Sequence, residues 1–165
     1  MISLNHMEKS STIFLQIVIV ALSLGALAFL LWEPTAEGVN VNKTLFQIYF
    51  NDPFIAYAYI GSIAFFTAVY QTFKLLGYIG RNEEFSEQAV KTLRTIKYCA
   101  MVIIGFILPC VAYLFIVRPG DDIAGGVAMG LFIIFVSAVV AANVAIHERI
   151  WRKGIDMKTE NDLTV

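Results

Sequence analysis

Four stretches of this chain contain no aspartate, glutamate, lysine or arginine: residues 10–32, 53–73, 98–117 and 123–147. Each is about 20 residues or longer, enough for a helix rising about 1.5 Å per residue to cross roughly 30 Å of hydrocarbon. None shows the alternation of apolar and polar residues that marks an outer-membrane barrel strand. The expected fold is an all-α membrane protein, a four-transmembrane-helix bundle forming one integral domain over residues 1–165, with spans over about 12–32, 53–76, 97–117 and 123–147. Composition agrees, since 58% of the residues are apolar and 15% charged. A soluble domain of this size could not cover its surface with so few charges.

Orientation follows from where the basic residues lie. Lys9, then Lys74, Arg81, Lys91, Arg94 and Lys97, then Arg149, Arg152, Lys153 and Lys158 fall on one side of the spans, leaving only Lys43 and Arg118 on the other. By the positive-inside rule both termini, the segment 77–96 and the tail 148–165 are expected in the cytoplasm of a cell whose inner or plasma membrane holds the protein. Ala26-Leu27-Ala28 matches a signal-peptidase pattern, but the apolar run continues to Trp32, and the first span is expected to stay. Asn42-Lys43-Thr44 is a weak glycosylation match on the outer side.

The middle segment has helix signals of its own. Ser86 is a capping residue with Glu87 in the first turn, and Phe85 and Val90 are spaced as a hydrophobic staple. Phe85, Ala89, Leu93 and Ile96 share one face, and Glu87 and Lys91 are an i, i+4 pair. Span three is therefore expected to begin about three turns before the bilayer, as an amphipathic cytoplasmic helix. Its apolar face serves either to pack on the bundle or to dock a partner through Phe85 and Leu93. Lys91, Arg94 and Lys97 face a partner or anionic lipid in the second case.

Inside the spans, Pro109 with Gly105 four residues before it marks a helix kink. Gly126 and Gly130 form a G-x-x-x-G pair for close helix packing, against a neighbouring span or a second copy. Gln71 and Asn143 lie toward the same ends of spans two and four and are expected to hydrogen-bond across them. The last helix is expected to run to Lys153 and stop at Gly154. Ile155 to Val165 would then emerge either as a solvated end, which its composition favours, or as a short strand-like segment; the resemblance described below points to the second, with the apolar ends Leu163 and Val165 anchored on a partner or on the protein itself.

No constellation for catalysis is visible. The spans hold no charge of the kind pumps and exchangers use for coupling. Cys99 and Cys110 lie eleven residues apart on one helix, about 16 Å and beyond disulfide reach. His147 has no converging ligand set, and no phosphate loop or nucleophile-and-base set is present. The expectation is a protein that is not an enzyme and needs no cofactor or metal. The basic residues are spread and mixed with acids, which argues against direct nucleic-acid binding.

The stretch YQTFKLLGYIGRNEEFSEQAVKTLRTIKYCA, residues 70–100, together with the ending GIDMKTENDLTV, resembles a family of small bacterial four-helix membrane proteins catalogued as a domain of unknown function. The resemblance covers the whole chain in layout, and what it implies is a four-span topology. It also implies a genomic neighbour, a small helix-turn-helix regulator of the Cro/repressor type. The leading functional reading is a membrane protein whose cytoplasmic face, 85–97 and 155–165, docks or senses such a soluble partner. The alternatives are a transporter or channel component, possibly a homo-oligomer, and an immunity protein against membrane-active peptides.

Overall fold

A computed structural model describes residues 2–36, 42–50, 53–117 and 123–163. It contains five helices in chain order: α1 (Ile2–Ala36), the short α2 (Leu45–Phe50), α3 (Pro53–Ile79), α4 (Glu87–Val117) and α5 (Ala124–Leu163). There is no strand among the described residues. Three of the helices are long and apolar enough to cross a membrane, over Ser10–Trp32, Glu87–Ile116 and Ala124–Asn161. At 27 residues α3 has the length as well, but tyrosines, serine, threonines and Gln71 interrupt its apolar residues. The chain is a multi-pass helical membrane protein.

The long helices pack in the order in which they occur. Contact is most extensive between α4 and α5, less between α3 and α4, and least between α1 and α3. No other pair of long helices packs on that scale among the described residues, so the arrangement is an open row with α1 and α5 at its ends. Small residues set the approach of each pair. A β-carbon on Gly61 of α3 would stand 3.2 Å from Phe106 Cδ1 of α4, and one on Gly80 would stand 3.2 Å from Thr12 Cγ2 of α1. Gly126 and Gly130 are both turned to α4, against Leu114 and Val111, so the G-x-x-x-G pair serves a contact within the chain.

Tyrosine hydroxyls and one glutamine tie the row together by donating to backbone carbonyls of the neighbouring helix. Tyr57 bonds Phe106 O at 2.8 Å, Tyr59 bonds Leu30 O at 3.3 Å, Tyr49 bonds Leu31 O at 2.6 Å, and Gln16 Nε2 bonds Phe73 O at 3.2 Å. In hydrocarbon a polar hydrogen has few other places to go, so each bond favours one register of two helices.

The cross-bond expected between Gln71 and Asn143 is not formed. Because α3 and α5 both pack on α4 and not on one another, Asn143 Nδ2 turns back to Val139 O of its own helix at 2.9 Å. The helix stop at Gly154 is also corrected: α5 continues through it to Leu163, with Thr159 bonding Ile155 O inside the added turns. Residues 155–163 are thus helical and not an extended tail. α4 runs unbroken through Pro109, and nothing lies within 4 Å of a β-carbon built on Gly105, so that glycine leaves room at the crowded carbonyl without serving a neighbour.

Candidate functional site

Where α3 gives way to α4, the chain makes a turn built from backbone bonds. Glu83 N bonds Tyr78 O at 2.9 Å and Asn82 N bonds Ile79 O at 3.0 Å, the paired closure that ends a helix on a left-handed residue. That residue is Asn82, with φ 56°, a conformation asparagine tolerates better than most. Arg81 Nε pairs with Glu83 Oε2 at 3.0 Å on the exposed side of the turn. Ser86 Oγ then accepts from Ala89 N at 3.2 Å and starts α4, the cap expected from its place before Glu87.

The first turns of α4 bury the face marked out by periodicity. Ala89, Leu93 and Ile96 are buried, as are Val90 and Thr92 beside them, and Leu93 is only 3% exposed. Leu93 therefore packs within the protein and offers no side chain to a partner. Phe85, half exposed, leans toward α5, where its ring centre lies 6.5 Å from that of Trp151. Gly154 makes that approach possible, because a β-carbon there would stand 2.6 Å from Phe85 Cδ1. The glycine first read as a helix stop is a notch for an aromatic ring.

Nearly two turns before Gly154 on α5, Glu148 lies just past the charge-free stretch and is buried. Its two oxygens divide between two cations of α4: Oε1 accepts from Arg94 Nε at 2.9 Å and Oε2 from Lys97 Nζ at 2.6 Å. Burial alone raises this carboxyl, but the bonds and charges of Lys97 and Arg94 outweigh it and hold the group below the usual carboxylate range. Arg94 and Lys97, expected to face a partner or lipid, are thus occupied within the chain. Glu148 was not singled out by sequence reasoning. The available signal was an acid placed directly after a long apolar run, opposite two basic residues at i, i+3 on the preceding helix.

Lys91 remains exposed, as do Arg149, Arg152 and Lys153. Leu163 is the last described residue, and Val165 lies outside the described residues, as does Asp52, the residue before Pro53. Two concave features result. A cleft of about 390 Å³ opens at the charged end of the hairpin, lined by Asn82, Glu83, Phe85, Ser86, Gly154 and Lys158. A larger apolar groove of about 570 Å³ lies over α4 between α3 and α5, with Gly61, Phe106, Val111, Gly130 and Phe132 among its walls. The hydroxyls of Tyr57 and Ser62 that reach it are spent on backbone carbonyls. Among the described residues no group of three or more His, Cys, Asp or Glu side chains could hold a metal ion.

The profile of the family described as a protein of unknown function, DUF2975, matches residues 42–165. The chain belongs to the DUF2975 family. The chain is also similar to the "Uncharacterized membrane protein YoaS" of Bacillus subtilis (strain 168), 37% identical over 161 residues that cover 96% of this chain and 100% of that protein. The match to the DUF2975 profile spans α2 to the end of α5 and so includes the whole hairpin junction. No solved structure matches the chain.

Proposed function

We propose that this DUF2975 protein is a four-span, non-enzymatic protein of the bacterial plasma membrane, with both termini in the cytoplasm, whose charged end docks or senses a soluble partner. The observation that carries this reading is the cleft of Asn82, Glu83, Phe85, Ser86, Gly154 and Lys158, formed where the middle turn meets α5. Its walls are stiff, because Ser86 caps α4, Asn82 ends α3 and Phe85 is seated on Gly154. Polar groups of both signs line it beside a half-exposed aromatic ring, a combination that suits a short peptide segment. α3 supplies the fourth span, and the ten basic residues on one side of the spans support the cytoplasmic placement.

A small helix-turn-helix regulator encoded beside the gene is the partner to test first. Full-length tagged protein, extracted in mild detergent, is expected to retain the regulator, and Lys158→Glu combined with Glu83→Ala, two exposed side chains of the cleft, is expected to release it while the fold persists. Equal recovery with the double variant removes the cleft as the docking site, and no recovery with either removes the regulator as the partner. Transport is the weaker reading, because the large groove has apolar walls better suited to acyl chains than to ions.

A further inference from the structure

We propose that the outward face of α5 is a coiled-coil seam, and that its occupant is α5 of a second copy of this chain, running parallel to the first. Along α5 the residues Met129, Phe132, Val136, Val139, Asn143, Ile146, Ile150, Lys153 and Met157 alternate at spacings of three and four over four heptads. All nine are exposed, the seven apolar ones between 42% and 64%. With Met129 as a, the a positions are Met129, Val136, Asn143, Ile150 and Met157, and the d positions are Phe132, Val139, Ile146 and Lys153. The residues of α5 buried on the other side, Gly130, Ser137 and Glu148, fall at b and f of the same register, the back of a coiled-coil helix. One face of α5 is thus committed to α4, while the seam residues keep a continuous register on its exposed side; Met129, Phe132 and Val136 at its start also form the α5 wall of the apolar groove, and from Val139 to Met157 no other helix among the described residues covers the seam.

Two observations favour a second copy over lipid. Inside the hydrocarbon an apolar face needs no partner, but Ile150 and Met157 lie beyond residue 147, among Arg149, Arg152, Lys153 and Asp156, and stay exposed in line with the membrane part of the seam. Asn143 occupies a central a position at membrane depth. Its amide donates only to Val139 O, and its side-chain carbonyl accepts no hydrogen bond among the described residues. Across a parallel two-fold seam the two Asn143 amides face each other and satisfy that carbonyl, the use of a buried asparagine that fixes register and a dimeric state.

Geometry agrees. Copies inserted with the same topology necessarily present parallel α5 helices, and a strict 3.5-residue repeat winds them left-handed. Counting on the order of 100 Å² from each half-exposed large side chain, the seven apolar residues present several hundred square ångströms, the scale of the about 800 Å² per partner that a standard interface uses. Lys153 at d keeps its methylenes in the seam and brings its ammonium to the edge. The pair Gly126 and Gly130 takes no part, being spent on α4.

Disulfide trapping of the full-length chain in native membranes tests the seam. Ile150→Cys and Met157→Cys are expected to cross-link to dimers under mild oxidation, and Arg152→Cys, exposed at a c position, is not; the unaltered chain with Cys99 and Cys110 on α4 sets the background. In nanodiscs the chain is expected to dimerise, and Asn143→Leu to raise the dimer dissociation constant by roughly threefold to more than tenfold, from about 0.6 to 1.7 kcal/mol per interhelical bond. Asn143→Leu folds as an apolar exchange on an exposed face, so loss of dimer in it reports the seam. Monomers at every protein-to-lipid ratio, or equal trapping at Ile150→Cys and Arg152→Cys, would overturn the proposal and leave the face to lipid.

Discussion

Lys97 Nζ and Glu148 Oε2 meet at 2.6 Å at the level where the charge-free stretches of α4 and α5 end. A carboxylate buried beside hydrocarbon is costly unless its oxygens are satisfied, and here a second cation, Arg94, takes the other oxygen. The cluster fixes α4 and α5 axially at one point, while Gly126 and Gly130 bring them together along their apolar lengths.

Removing the carboxylate should therefore cost more than removing an exposed one. Glu148→Ala leaves Lys97 largely buried and unpaired, and is expected to lower stability by roughly 1–2 kcal/mol in chemical or thermal unfolding in detergent. In a chain that already lacks Lys97 and Arg94 the same replacement should cost much less. Equal losses in the two backgrounds would contradict the coupling.

The same group makes a pH prediction. Its folded value lies below the ordinary 4.5, so its contribution is fully present above that value and is lost as pH falls through the folded value. The difference in unfolding temperature between the wild type and Glu148→Gln is expected to stay constant from pH 7 down to about pH 5 and to shrink in more acid buffer. A difference that grows on acidification reverses the sign and excludes the pairing as its cause.

Gly154 sets two effects against each other. Helix propensity alone makes Gly154→Ala stabilising by about 1 kcal/mol. The new β-carbon, however, would stand 2.6 Å and 2.8 Å from two atoms of the Phe85 ring, and overpacking costs about 1–3 kcal/mol. Gly154→Ala is expected to be neutral or destabilising in the wild type and stabilising in Phe85→Ala. Trp151 fluorescence, which reports the nearby ring, should shift in the single variant.

Tyr57→Phe keeps the ring pair with Phe106, 5.0 Å between centres, and deletes only the bond to Phe106 O. The expected loss is about 0.6 kcal/mol, the average for interhelical bonds in a membrane bundle, measured by unfolding in detergent. Tyr59→Phe, whose bond to Leu30 O is longer at 3.3 Å, should cost less.

Much of this was legible in the chain and some was not, for physical reasons. Charge-free length and the cap at Ser86 are local properties, and the helices and the start of α4 follow from them. Gly154 was misread because a glycine after arginines and lysine carries the composition of a helix end. Only the position of Phe85 on another element shows that a missing side chain is what the site needs. The Asn143 expectation failed because it assumed that spans two and four touch, and helix adjacency in a membrane depends on which small residues meet which large ones. Glu148 was overlooked because a charge at a span boundary is unremarkable until its partners are known.

The order of packing has a consequence for biogenesis. Because α1, α3, α4 and α5 are neighbours in space in the order in which they leave the ribosome, each helix entering the bilayer finds its partner already there. No early helix must wait for a late one, loop closures stay short, and polar side chains such as Gln16 and Tyr57 are matched as soon as the next helix arrives. α5, added to the row after α4, meets one long helix among the described residues, so its place in the membrane rests on that single seam.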